Sequence, residues 1–196
     1  MRERRTMAIT DALAQRRSYY QLNKTLPVSD GEVEALVRKT TELVPDAFNM
    51  RSQRVVLAMG EAQDRLWDTI YDVFGGKVAR EKIDGFKAAA GTVLYFIDED
   101  VVKGLQEQFA LYADNFPIWA QQANGMLQLS IWTALREKGI GANIQHYNPV
   151  IDEAVKELFD VPATWKLIAQ MDFGGIVAEP DPKEAEDISA RVKVVR

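Results

Sequence analysis

WAQQANGMLQLSIWTALREKGIGANIQHYNP, residues 119–149, carries the reading on which the architecture turns. Trp119, Ala123, Met126, Leu127, Ser130, Ile131, Ala134 and Leu135 recur at helical spacing, which predicts one long helix over residues 114–138. Gly139 stands where a left-handed residue would end it. The continuation GIGANIQHYNP, 139–149, places Gly139, Gly141, Asn143, Gln145 and Asn148 around His146, the only histidine, and stops at Pro149. Glycines permit close backbone approach, and amides can read a polar ring edge. Two readings follow: a helix cap leading through a turn into the next helix, or the rim of a site for a flat, heteroatom-rich ligand.

Working outward, periodicity predicts helices over 7–17, 30–44, 61–74, 77–89 and 99–109. In the first, Ile9, Ala12, Leu13 and Arg16 share a face. Ser29 and Glu32 form a capping-box pattern before the second, and Pro45 ends it. Gly75-Gly76 stops the third. Residues 55–59 read as a short buried strand. TVLYFID, 92–98, is β-branched and aromatic, a central strand candidate. Asn148-Pro149 reads as an N-cap and N1 proline for a helix to Phe159. TWKLIAQMDFGG, 164–175, is a strand ending in glycines, residues 181–186 a polar turn, and ARVKVVR a basic, extended tail. The pattern is α+β, with helices outnumbering three or four strands. Helix and strand do not alternate regularly enough for a doubly wound fold.

The 196 residues are 47% hydrophobic and 27% charged, the proportions of one soluble domain with a substantial core. A net charge of −5 argues against a general nucleic-acid binder. The absence of cysteine excludes thiolate nucleophiles, disulfides and iron–sulfur clusters, and a single histidine excludes metal sites needing two. The basic opening MRERRTM is followed by no signal-peptide core, and no run is apolar enough to span a membrane, so a cytoplasmic protein is expected.

Conventional catalysis is poorly supplied. No GxSxG elbow accompanies His146, and Asp98, Glu99 and Asp100 read as a solvated helix start. GIGANI has Ile144 at the third glycine position of a dinucleotide fingerprint and follows a helix, so the Rossmann reading fails. Such a chain can still be an enzyme if a cofactor carries the reaction. Arg16-Arg17-Ser18, followed by Tyr20, could clamp a phosphate; the same cations could equally complement the first helix's C-terminal dipole. Arg191, Lys193 and Arg196 form a second cationic group, ordinarily a solvated tail. The loop PDAFNMRSQ, 45–53, brings Asn49, Arg51, Ser52 and Gln53 beside a strand, either a plain connection or a ligand rim.

Taken in order, RRSYYQL at 16–22, PDAFNMRSQRVVL at 45–57, FKAAAGTVLYFID at 86–98, the 119–149 stretch and WKLIAQMDFGG at 165–175 resemble the nitroreductase family of FMN-dependent oxidoreductases. The likeness is to its short subgroup, which includes the yeast fatty-acid-repression-mutant nitroreductases and bacterial relatives. It covers nearly the whole chain.

The resemblance implies an α/β sandwich with a mixed, mostly antiparallel sheet flanked by helices, one FMN-binding domain over 1–196, and an intertwined homodimer with FMN at the interface. It implies that Arg16, Arg17 and Ser18 hold the phosphate and ribityl chain with Tyr20 near them, and that Arg191 completes the phosphate site. Asn49 and Arg51 would reach the flavin from the partner subunit. Ile144, Gln145 and His146 would line the ring, with main-chain N–H groups of the 145–146 region near N5. The helix over 114–138 would lie in the dimer interface, which would account for its stripe and for Trp119 and Trp132.

The implied activity is ping-pong hydride transfer from NAD(P)H through flavin N5 to nitroaromatic or quinone-type acceptors. A flavin- or small-ligand-binding carrier would use the same residues. This chain departs from the family at Asp46, Ala47 and Met50-Arg51, where serines and Ser-Gln are frequent. Tyr20 stands where a basic residue is familiar, which shifts the phosphate toward Arg17 and the C-terminal arginine.

Overall fold

A computed structural model describes residues 9–196. The opening MRERRTM and the first two residues of the 7–17 helix lie outside the described residues. Helices α1 (Ile9–Gln15), α2 (Asp30–Leu43), α3 (Glu61–Phe74), α4 (Arg80–Lys87), α5 (Glu99–Gln108), α6 (Phe116–Glu137) and α7 (Asp152–Phe159) surround a sheet of β1 (Leu22–Asn23), β2 (Gln53–Met59), β3 (Gly91–Asp98), β4 (Gly141–Gln145) and β5 (Trp165–Ile176). The strand order is β1-β5-β3-β2, and β4 also pairs with β5. Every paired strand is antiparallel; one isolated bridge, Ser18 to Ala142, is parallel.

Strand β3 lies between β2 and β5 and is buried over nearly its whole length, which is why its sequence is a continuous apolar run rather than an alternation. Val93 and Tyr95 join a cluster with Val33 and Val37 of α2 and Leu127, Ile131 and Leu135 of α6. Leu94 and Phe96 point the other way, to Leu66, Trp67 and Ile70 of α3, Ile83 and Phe86 of α4 and Val155 of α7. The period of two in the strand thus builds a helix layer on each face, the α/β sandwich expected. Burying each of Leu127, Ile131 and Leu135 contributes about 1.5–3 kcal/mol.

Local signals set the ends of the elements. Ser29 Oγ accepts from the Glu32 N–H at 3.3 Å while Glu32 Oε2 accepts from the Ser29 N–H at 3.1 Å, a complete capping box. Helix α6 closes with a Schellman pair: the Ile140 N–H donates to Leu135 at 3.1 Å and the Gly139 N–H to Arg136 at 2.9 Å. Gly139 has φ +82°, a conformation glycine adopts without strain.

Four expectations are corrected. First, β4 is a strand where a turn was expected, and with the two-residue β1 it raises the count among the described residues to five. Gly139 reverses the chain within two residues, so Gly141, Asn143 and Gln145 can alternate along β5. Second, β2 is a sheet edge, mostly half-buried, and begins at Gln53. Third, α7 starts at Asp152 rather than at Asn148-Pro149. Those two residues are joined by a cis bond, and the helix entry lies at Ile151. Fourth, residues 181–187 are irregular, a short 3-10 turn spans Ile188–Ala190, and the rest of the tail is exposed.

The stripe on α6 is also accounted for within the chain. Ala123, Leu127, Ile131 and Leu135 are buried in the chain's own core, so the stripe needs no partner subunit. Ile118, Met126 and Leu129 remain exposed on the same helix. On α1 only Ala12 is buried; Ile9 and Leu13 face outward.

Candidate functional site

The segment after α1 runs beside β4. Ser18 bridges Ala142, and the Tyr19 N–H donates to the Ala142 carbonyl at 3.1 Å. Trp132 Nε1 of α6 donates to the same carbonyl at 3.1 Å. Gly141 makes the approach possible, since a Cβ there would lie 3.0 Å from Tyr19 Cβ and 2.8 Å from Leu22 Cδ2. The structure therefore brings Arg16, Arg17, Ser18 and Tyr20 to the edge of the strand holding Ile144 and Gln145, although over 120 positions separate them in sequence.

Main-chain geometry at this edge follows from alternation. In an antiparallel strand each residue turns its N–H and C=O to the same side, and neighbours turn to opposite sides. Ala142 faces the 17–19 segment, so Asn143 and Gln145 face β5, and Ile144 faces the open edge. The edge donor in the strand is Ile144 rather than Gln145. His146, just beyond the strand, is exposed and its side chain makes no hydrogen bond or ion pair among the described residues. The Tyr147 N–H is taken by Gln170 Oε1 at 2.9 Å.

Charge is concentrated at the end of α1. The Arg16 guanidinium lies 4.2 Å from the Trp132 ring centroid and has no carboxylate partner among the described residues. Burial, and then the neighbouring Arg17 charge, hold its pKa below the ordinary value. Arg17 Nη2 donates to the Asp181 carbonyl at 2.6 Å, again without a carboxylate. Arg136 of α6 lies 5.4 Å over the Tyr19 ring and donates Nε to the Gln15 carbonyl at 3.2 Å. Three guanidiniums gather here, none of them in an ion pair among the described residues, with the exposed Glu179 carboxyl near them at Tyr19; such a cluster can take an anion bidentately.

Beside it lies a cleft of about 390 Å³. Tyr20, Ile144 and Gln145 line one part, and Glu81, Lys82, Gly85 and Phe86 of α4 the rest. Lys82 and Arg136 went unnoticed in the sequence. Both sit on helices as ordinary surface cations, and only the packing of α4 and α6 against this edge singles them out. A larger groove, about 740 Å³, runs between α2 and the edge strand β2; of the candidate residues only Gln53 lines it.

The other expected residues lie elsewhere. Asn49 and Arg51 belong to the loop before β2, where Arg51 Nε donates to Asn49 Oδ1 at 3.1 Å and the Arg51 N–H to Asp46 Oδ2 at 2.6 Å. Phe48 of that loop stacks on Trp119 at 5.6 Å between centroids. Trp119 and Trp132 are about 20 Å apart along α6 at 1.5 Å per residue. Within one chain the loop and the arginine cluster therefore mark opposite parts of α6. Arg191 pairs with both Glu186 carboxylate oxygens at 2.9 Å and makes no bond with Arg16 or Arg17. Asp98 caps α5, accepting from the Asp100 N–H at 3.3 Å, and pairs with Arg54 at 2.9 Å.

No helix among the described residues is long and apolar enough to cross a membrane. The family model described as Nitroreductase family matches residues 13–175. The nitroreductase FRM2 of Saccharomyces cerevisiae is 34% identical over 176 residues, spanning 88% of this chain and 90% of the yeast protein. Nitroreductase CinD from Lactococcus lactis, solved in complex with chloramphenicol, superposes with a TM-score of 0.92 at 43% identity, covering 96% of this chain and 100% of CinD. CinD has also been solved with 4-nitrophenol. A putative nitroreductase from Exiguobacterium sibiricum in complex with FMN superposes at a TM-score of 0.70 over 97% of this chain and 98% of its own; at 12% identity that likeness concerns the fold alone.

Proposed function

The chain belongs to the nitroreductase family, and from that premise we propose that it is an FMN-dependent NAD(P)H oxidoreductase with a single FMN-binding domain over 1–196. The observation that carries the reading is the pair Arg16–Arg17, which has no carboxylate partner among the described residues, beside a strand edge with an open main-chain donor. A half-buried cation pair with no carboxylate is costly unless an anion completes it.

The residues present fit FMN. Arg16 and Arg17 would hold the phosphate bidentately, with Ser18 Oγ free for the ribityl chain and Arg136 adding positive field. Tyr20, Lys82, Ile144 and Gln145 would border the ring in the adjoining cleft. Bound FMN supplies a two-electron carrier that takes hydride from NAD(P)H and serves a nitroaromatic or quinone-type acceptor in ping-pong order. The Ile144 N–H, at the open strand edge, would meet the ring edge and orient it. Gln145 would contribute its side chain, and His146 lies exposed just beyond the strand.

The sites on the 45–53 loop support a homodimer. Asn49 and Arg51 would meet the cleft from a second copy, since within one chain their loop packs at Trp119, about 20 Å along α6 from Trp132. Exposed Ile118, Met126 and Leu129 offer that copy an apolar surface. Arg191 would reach the phosphate only after leaving Glu186.

The acceptor class draws on CinD, which was solved with 4-nitrophenol. The test is the absorbance of the purified protein, followed by anaerobic addition of NADH or NADPH. A yellow protein that bleaches and is reoxidised by a nitroaromatic is expected. Colourless protein that takes up no added FMN would overturn the reading, and bound FMN that neither nucleotide bleaches would leave a flavin carrier.

A further inference from the structure

Asn143 and Asp172 are register partners on β4 and β5, and both are fully buried. Asp172 is also the register partner of Thr92, whose hydroxyl bonds Gln63 and Trp67 of α3, so the pair lies on the α3 face of the sheet. Asn143 Nδ2 donates to the Tyr19 carbonyl at 2.7 Å and to Asp172 Oδ2 at 2.9 Å. Gln145 Nε2 donates to Asn143 Oδ1 at 2.6 Å.

This chain of bonds has only one polarity. A main-chain carbonyl accepts and never donates, so the atom of Asn143 facing Tyr19 must be the nitrogen. Its Oδ1 is then the acceptor turned to Gln145, and Gln145 must answer with its own nitrogen. Gln145 Oε1 takes no partner among the described residues, and Gln145 lines the cleft beside Lys82. A buried carboxyl is costly, and Asp172 Oδ1 has no hydrogen-bond partner from another side chain or strand among the described residues, so the position needs a reason. Its Oδ2 provides one: it takes the second N–H of Asn143, which an apolar residue at 172 would leave unsatisfied.

We propose that Asn143 and Asp172 are positioning residues that lock the Gln145 amide with its carbonyl oxygen, not its NH2, toward the ligand in the cleft. The ring edge read there must therefore offer an N–H. That the ring is a flavin rests on the function proposed above; the lock does not.

The test uses full-length 15N-labelled protein, with the Gln145 side-chain amide identified by its loss in Gln145→Ala. Slow solvent exchange of that amide is expected in the unsubstituted protein. Asn143→Ala should shift it to a free-amide signal, whereas Asp172→Asn, which keeps an acceptor, should leave it in place. In parallel, FMN titration by fluorescence should show Asn143→Ala weakening binding about five- to tenfold, the effect of one lost hydrogen bond. Combining it with Gln145→Ala should cost nothing beyond Gln145→Ala alone. A Gln145 amide that exchanges freely in the unsubstituted protein overturns the lock without any variant. Additive losses in the double variant overturn it as well. A protein that takes up no FMN fails the flavin reading, while the amide signal still decides the lock.

Discussion

The Tyr19 main-chain N–H donates to the Ala142 carbonyl at 3.1 Å, and through that bond the start of the chain meets the strand that follows its longest helix. Trp132 donates to the same oxygen and carries the Arg16 guanidinium on its ring face. One carbonyl thus ties together the cation cluster, the edge strand and α6. The proposed phosphate clamp and the adjoining cleft are held by the same few residues.

Arg16→Ala should therefore weaken FMN binding more than it weakens the fold. A charge-assisted bond to a phosphate contributes about 1.5–3 kcal/mol, which is roughly a ten- to hundredfold rise in Kd. Arg17→Ala should act in the same direction and also loosen the 177–187 segment, because Arg17 holds the Asp181 carbonyl. Fluorescence titration of FMN gives the affinities, and thermal melts of the flavin-free protein give the stabilities. Unchanged affinity in Arg16→Ala would remove that residue from the clamp.

Gly174 and Gly104 should respond oppositely to the same added methyl. A Cβ on Gly174 would lie 3.1 Å from the Ala90 nitrogen and nearer still to the Asn23 carbonyl, both main-chain atoms that cannot swing aside. Gly174→Ala should cost about 1–3 kcal/mol as overpacking, lowering Tm by roughly 5 °C for a chain of this size. Gly104 lies within α5 with open space around it, so Gly104→Ala should stabilise by about 0.5–1 kcal/mol. Denaturant titration of the two variants measures both signs.

The fold was largely legible because long periodic segments carry their own signal. The stripe of α6, the capping box of Ser29 and Glu32 and the apolar run of β3 each name an element without help from the rest. Strand β4 was not legible: five residues with one glycine and two amides lack the apolar alternation of a strand, and only β5 beside them supplies the pairing. The arginines were visible as a motif, yet the missing counter-charge, which gives them meaning, exists only in three dimensions. Lys82 and Arg136 had no signal of their own. For Asn143, the Gly/amide composition pointed at the right segment but not at a buried side chain working through its neighbours.

If the chain forms the proposed homodimer, the residues of α6 that the core leaves exposed should hold it. Met126 and Leu129 lie one turn apart and are about as exposed as each other. Met126→Asp with Leu129→Asp would place two carboxylates in that contact and disturb nothing buried. Light scattering should show the mass fall from dimer to monomer. FMN affinity should fall with it, because Asn49 and Arg51 of the second copy would be lost from the cleft. A monomer that retains FMN at full affinity would remove the 45–53 loop from the site.

Asp172 should also leave a mark on stability against pH. Burial raises its pKa well above the ordinary 3.8, and the bonds from Asn143 and its own main-chain N–H only partly oppose that. The folded state therefore holds this proton more tightly than the unfolded chain. Such a group contributes its full stability below about pH 3.8, and the contribution is lost as pH rises through the folded value. At neutral pH the native protein must keep a buried carboxyl protonated or bear an unsolvated charge. Asp172→Asn keeps the acceptor for Asn143 without that demand. Urea unfolding should find Asp172→Asn at least as stable as the parent at pH 7, with the difference shrinking as pH falls toward 4. Groups such as Asp152, whose pKa burial also raises, are common to both proteins and cancel in the comparison. A difference that stays constant from pH 7 to pH 4 would mean that Asp172 titrates in the folded protein as it does in the unfolded chain.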